Sequence, residues 1–156
     1  MLIYEINGLF RIVFSVFVIW SLVRWLRLPT LPTLRGRLGS IGLAVGSVSA
    51  ALFAWLYIRL WVSGTLLAHG SALYIYAFVG LGLAVIGLFL GLGGTGWVRQ
   101  SALLICIVMV CQWLRDLAVG AKARNLTDGA MYIALLLFGI ILLWNRYFAR
   151  GEQRPD

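Results

Sequence analysis

The stretch "ALYIYAFVGLGLAVIGLFLGLGGTG", residues 72–96, decides the fold of this chain. Residues 72–92 carry no charged side chain. A helix of this length is about 30 Å long, which matches the hydrocarbon core of a bilayer. Tyr74 and Tyr76, at its start, are of the residue type that membrane helices place at the lipid interface. The sequence therefore predicts a membrane-spanning helix over residues 72–92.

The end of the same stretch, "GLGGTG" at residues 91–96, matches the Gly-x-Gly-x-x-Gly pattern of dinucleotide-binding loops, and Asp116 lies twenty residues beyond it. That pattern binds a pyrophosphate when it follows a short strand and opens a helix. Here it follows an apolar run that is too long for a strand. We therefore interpret Gly93, Gly94 and Gly96 as a tight turn between two antiparallel membrane helices, and we expect no nucleotide binding.

The composition of the whole chain agrees with a membrane location. Of its 156 residues 62% are hydrophobic and 12% are charged, and the mean hydropathy is +0.97, far from the values of a soluble domain. No charge-rich stretch is long enough to form a separate soluble domain. We predict one all-α integral membrane domain over residues 1–156, a compact bundle of about five transmembrane helices.

Five segments have the length and apolar content of a spanning helix. They are residues 4–25, 38–61, 72–92, 97–114 and 130–148. Trp97 and Trp113 bracket the fourth segment, as interfacial aromatic residues do. A re-entrant fourth segment, which would leave four full spans, is the alternative, because the loop after it would hold three basic residues on the outer side.

The basic residues predict an orientation rather than a nucleic-acid site. The net charge is +8, but the cations lie at the ends of apolar runs, where Arg anchors helices at lipid head groups. The strongest cytoplasmic signal surrounds the doubled Leu-Pro-Thr at residues 28–33, which four arginines flank. With that loop inside, eight basic residues lie inside and five outside. We expect a bacterial inner-membrane protein with the amino terminus outside and the carboxyl terminus cytoplasmic, and no nucleic-acid partner.

The two cysteines and the amino terminus exclude some further classes. Cys106 and Cys111 lie five residues apart in an apolar run, so on a helix they point about 140° away from each other and cannot pair. No Cys/His cluster is present, and we expect no metal site. Glu5 and the lack of an early basic residue argue against a cleaved signal peptide.

Small residues recur at helical spacing in the second and third segments, the pattern that lets helix backbones approach closely in lipid. The sets are Gly42, Gly46, Ala50 and Ala54 in the second segment, and Gly80, Ala84, Gly87 and Gly91 in the third. We predict that both stripes are packing faces, directed at each other or at partner proteins. A Gly-lined pore or groove is the alternative.

Arg11 is the charged residue that lies deepest in a predicted span, about 10 Å into the first helix. The simpler interpretation is that its long side chain reaches the outer head groups. The sharper hypothesis is an ion pair inside the bundle. Asp116, at the outer end of the fourth helix, is its natural partner and Glu5 is a second candidate. Such a pair would fix the register of the helices rather than catalyse a reaction.

His69 is the only histidine and lies between the second and third segments. A solvated or hydrogen-bonded histidine is the simpler interpretation. Axial ligation of a haem or another metal-centred pigment is the alternative, and a second histidine would then have to come from another protein. We expect no cofactor in the protein alone.

No group of residues indicates a reaction. None of the five acidic residues falls well inside a predicted span, and the Gly-x-Ser-x-Gly motif of hydrolases is missing. We therefore predict a protein that is not an enzyme, namely an integral membrane subunit or accessory protein that packs against larger membrane partners or against its own copies within the bilayer. The alternatives are a small channel or transporter with a Gly-lined path, and a pigment- or haem-holding subunit of an electron-transfer or light-harvesting complex.

Overall fold

The computed structural model describes residues 2–27, 34–63, 70–118 and 121–148. Within these ranges the chain forms five α-helices and no strand. The helices are α1 (Leu2–Leu26), α2 (Leu34–Ser63), α3 (Gly70–Leu92), α4 (Gly96–Leu117) and α5 (Ala121–Phe148). All five are long and apolar enough to cross a membrane. The fold is thus all-helical with five candidate spans, as the sequence predicted.

The fourth segment is one continuous helix of 22 residues. This length suffices for a full crossing, so α4 is a candidate span like the other four helices. Helix α5 starts at Ala121, nine residues before the predicted start at residue 130. Hydropathy marks only the part of a helix that lies in hydrocarbon, whereas the polar turns of α5 continue the helix beyond it.

Helices α2, α3 and α4 pack against one another and form the core, with α4 at its centre. Ile105, Cys106, Met109 and Trp113 of α4 are fully buried. Helix α1 lies against α2 and α4, and α5 packs on α4. The rings of Phe10 and Tyr132 also meet, with centroids 6.1 Å apart, so α1 and α5 touch. The bundle is therefore a tight three-helix core with two outer helices, α1 on α2 and α4, and α5 on α4.

Glycines bring the backbones of α2 and α3 into contact. A Cβ atom on Gly42 would lie 2.6 Å from the backbone nitrogen of Gly91 and 2.9 Å from the carbonyl oxygen of Gly87. Cβ atoms on Gly46 and Gly87 would lie 2.6 Å and 2.9 Å from Sγ of Cys106 on α4. Hence the structure places the two glycine faces against each other, with the Cys106 thiol between them.

The "GLGGTG" stretch forms the turn between α3 and α4. The N–H groups of Gly93 and Gly94 donate to the carbonyls of Leu90 and Gly91, at 3.2 Å and 3.0 Å. Gly96, the first residue of α4, has φ +64°, which lies in the left-handed region that favours glycine. A helix, not a strand, precedes the turn, in agreement with the interpretation against a nucleotide loop.

Candidate functional site

Three helices meet at a polar cluster formed by Arg11, Tyr57 and Asp116. The Tyr57 hydroxyl donates to the carboxylate of Asp116, with its oxygen 2.9 Å from Oδ1 and 3.1 Å from Oδ2. Cζ of Arg11 lies over the Tyr57 ring, 5.0 Å from its centroid, which is a cation–π distance. The two residues of the predicted ion pair are thus gathered around Tyr57, which contacts both.

The directions of the helices explain this meeting. Along α2, Gly46 lies beside Cys106, Ser49 bonds to Trp113, and Tyr57 bonds to Asp116, so α2 and α4 run in parallel. Helix α1 runs antiparallel to both. The early turns of α1, which carry Arg11, therefore lie at the level of the last turns of α2 and α4.

Sequence reasoning missed two contributors at this end of the bundle. Tyr57 was not singled out, although it lies near the end of the second predicted span, on the same predicted outer side as Asp116. The ion pair between Arg115 and Asp128, 3.2 Å between Nε and Oδ1, was missed as well. It joins α4 to α5 and neutralises one of the basic residues that made residues 115–128 unfavourable as an outer loop.

A second polar chain lies in the core. Nε1 of Trp113 donates to Oγ of Ser49 at 2.9 Å, and Oγ of Ser49 donates to the carbonyl of Gly80 at 2.8 Å. Gly80 has no side chain where the Trp113 indole packs. This chain links α4, α2 and α3 and satisfies the indole N–H of a fully buried tryptophan. Its role is structural, and Trp113 is not the interfacial anchor that its position in the sequence indicated.

A cavity of about 440 Å³ lies between α1 on one side and α2 and α4 on the other. Its walls are mostly apolar, with Phe14, Val18 and Met109 among the lining residues, and Arg11 and Tyr57 line it as well. Its volume is within the range of small-molecule sites.

Two polar residues in the walls of this cavity have unsatisfied side-chain atoms. Ser47 is 5% exposed and Gln112 is 6% exposed. Oγ of Ser47 and Oε1 of Gln112 have no hydrogen-bond partner among the residues that the structure describes. The amide nitrogen of Gln112 is used, since it contacts Sδ of Met131 at 3.3 Å. Both unsatisfied atoms are themselves buried from water, and a buried acceptor without a donor costs free energy of folding.

The remaining predicted site residues separate into three groups. Ala50 and Ala54 line the cavity, and Ala84 is fully buried in the core. His69 and the side chain of Glu5 lie outside the described residues. Among the residues that the structure describes, no group of His, Cys, Asp and Glu has the arrangement of a metal site.

The fold and the polar cluster define a class: an all-helical protein whose five candidate spans suggest a multi-pass membrane protein. No family model, curated protein or solved structure matches the chain. Information on the function therefore comes from the fold and the site alone.

Proposed function

We propose that this protein is a non-catalytic integral membrane subunit whose partner surface lies on α5. The sequence predicted association through the small-residue stripes of the second and third segments. These stripes support the proposal only indirectly. Gly42, Gly46, Gly87 and Gly91 are occupied by contacts within the chain. The same contacts fill the Gly-lined path that a channel would need, which favours the subunit over the channel. A surface for partners has to be found elsewhere on the bundle.

The observation that carries the proposal is the packing of α5. This helix has 28 residues, yet α4 is the one helix of the described chain on which it packs extensively. In lipid, helix association is driven by van der Waals packing and hydrogen bonds rather than by the exclusion of water. A helix with one packing neighbour therefore has room for a second on its outward face. That face carries Ile133, Leu136, Leu137, Ile140 and Ile141.

Leu137→Trp should reduce the yield of a copurifying partner about tenfold, which corresponds to about 1.4 kcal/mol of association free energy. The bulky indole would separate the closely packed helix surfaces. The measurement is affinity purification of the tagged protein from its host membranes in mild detergent, with quantitative mass spectrometry of proteins present in fixed ratio.

Ile86→Trp on α3 is the matched control, because Ile86 is 54% exposed and Leu137 is 53% exposed. It should leave the yield unchanged. A chain that purifies alone would contradict the proposal, and so would equal yields from both variants. A homo-oligomer that Leu137→Trp dissociates would identify the partner as a second copy.

We further propose a bacterial inner-membrane location with the carboxyl terminus in the cytoplasm. The support is the grouping of cations at one end of the bundle. Cζ of Arg24 lies 4.4 Å from the centroid of the Trp97 ring, so the end of α1 is beside the start of α4. Arg24, Arg35, Arg37 and Arg99 share this end of the bundle. Cytoplasmic ends of membrane proteins carry such an excess of basic residues.

Engineered cysteines at the two ends of the bundle should show this orientation in intact cells. Val62 and Thr95 are exposed at opposite ends. In a chain with Cys106 and Cys111 replaced by alanine, a membrane-impermeant maleimide should label Val62→Cys in intact cells, and Thr95→Cys only after permeabilisation. The reverse pattern would overturn the orientation.

A further inference from the structure

Five exposed arginines lie at one end of the bundle, where α1 ends and α2 and α4 begin. This group, the arginine end, consists of Arg24, Arg27, Arg35, Arg37 and Arg99. Two close contacts join the helices there. A Cβ atom on Gly94, in the turn before α4, would lie 2.6 Å from Cα of Gly39 on α2. Cζ of Arg24 on α1 lies 4.4 Å from the centroid of the Trp97 ring on α4. Three helices therefore contribute positive charge to the same end.

The described part of the chain places no acidic residue at the arginine end. Glu5, Asp116 and Asp128 belong to the opposite end of the bundle, where Arg115 pairs with Asp128. The two acidic residues after residue 148 lie outside the described residues and are matched in that segment by two arginines. Among the described residues, no ion pair involves any of the five guanidinium groups. Their charge is therefore not compensated within the described structure.

Arg24 is the best positioned of the five arginines. Its Cζ atom lies 5.2 Å from the centroid of the Trp20 ring and 4.4 Å from that of Trp97, so two aromatic rings restrict its guanidinium group. A side chain that is already restricted loses less entropy when it binds a ligand. Neither contact is a hydrogen bond, so the N–H groups remain for an oxygen anion. Arginine binds phosphate oxygens with paired hydrogen bonds.

The surface beside Arg24 is apolar. Val23 and Leu26 of α1 are 44% and 74% exposed, and Leu34 of α2 is 73% exposed. A water-soluble anion would leave these side chains uncovered. A phospholipid carries its phosphate next to hydrocarbon chains, so it matches both the charge and the apolar surface. Tryptophans such as Trp20 and Trp97 are typical of the depth at which lipid head groups meet hydrocarbon.

From these features we propose that the arginine end binds the head group of an anionic phospholipid, with Arg24 as the central contact. The phosphate oxygens accept hydrogen bonds from Arg24, and the other four arginines add electrostatic attraction. The acyl chains lie along Trp20 and Val23 on the lipid-facing side of α1. The inference rests on the membrane location proposed above. It does not involve the outward face of α5 or the orientation, so its failure would leave the partner proposal untouched.

The test is native mass spectrometry of the full chain in neutral detergent, titrated with phosphatidylglycerol or with phosphatidylethanolamine of the same acyl chains. The first phosphatidylglycerol should bind at least about tenfold more tightly than the zwitterionic lipid, because each arginine near an anionic head group contributes about fivefold. Arg24→Gln should reduce this preference about fivefold. Arg59→Gln is the matched control and should leave it unchanged. Arg59 is also exposed and also stacks on a tryptophan ring, Trp55, but it lies at the opposite end of the bundle.

A further variant and a competitor test the extent of the site and the need for hydrocarbon. Arg35→Gln should also lower the preference several-fold, because α2 contributes to the same end. Inorganic phosphate in tenfold excess over the lipid should not displace it. A retained melting temperature shows that each variant is folded. Equal binding of the two lipids, equal losses for Arg24→Gln and Arg59→Gln, or displacement by inorganic phosphate would each overturn the proposal.

Discussion

Gly42→Ala should destabilise the folded protein by about 2–3 kcal/mol, the upper part of the range for overpacking in a close-packed interior. The new methyl group would lie 2.6 Å from the nitrogen and 2.9 Å from Cα of Gly91. These are backbone atoms of α3, which cannot rotate away as a side chain would. The two helices would have to separate, and the contacts on both sides of Gly42 would loosen. The measurement is unfolding of the purified protein in mild detergent, followed by heat or denaturant.

Gly82→Ala provides the control for this experiment. Gly82 lies on α3, and a Cβ atom there would have no heavy atom of another described helix within 4 Å. Alanine should be neutral or slightly stabilising at this position, because glycine is the poorer helix former by about 1 kcal/mol. If both variants unfolded alike, the close approach of α2 and α3 would be wrong.

Trp113→Ala should have the largest effect of any single substitution considered, about 3–5 kcal/mol, as measured for large-to-small changes in protein cores. Trp113 is 0% exposed and packs edge-on against Phe53, with ring centroids 5.0 Å apart. Its removal leaves a void at the junction of α2, α3 and α4 and leaves the Ser49 hydroxyl without its donor. Trp55→Ala should cost far less, because Trp55 is 46% exposed. Unfolding in detergent measures both variants.

A double-mutant cycle separates the hydrogen bond from the volume of Trp113. Trp113→Phe removes the indole N–H with a smaller change in size, and Ser49→Ala removes its acceptor. The two changes together should cost less than the sum of the single changes by about 1 kcal/mol, the net contribution of a typical hydrogen bond. Strict additivity would show that the 2.9 Å contact between Nε1 and Oγ contributes nothing to stability.

The fold class followed from hydropathy because a bilayer-spanning helix must be about twenty residues long and apolar, whatever its neighbours are. The start of α5 did not follow, since polar residues such as Lys122 and Asp128 continue the helix beyond its apolar part. Trp113 was interpreted as an interfacial residue because it lies, with Trp97 at the other end, at a boundary of the fourth apolar segment. Its burial depends on α4 being central, which is a property of the packing rather than of the fourth segment.

The polar cluster was predictable in part. Helix directions alone place Arg11 and Asp116 at the same end of the bundle, and the sequence predicted this shared end. The role of Tyr57 could not be predicted from the sequence. The rotation of α2 about its axis decides whether the Tyr57 ring faces α1 and α4, and the glycine contacts with α3 set that rotation. The cavity likewise depends on the distance between α1 and its neighbours, which hydropathy does not encode.

The glycine contact between α2 and α3 also limits how the protein can move. Rotation of either helix by even one residue position would bring a larger side chain onto the opposing backbone, and close-packed interiors do not deform gradually. We therefore expect α2 and α3 to move as one unit. Any change of shape would then fall to the outer helices α1 and α5. Because α1 forms one wall of the cavity, its displacement would open or close the space between itself and the core.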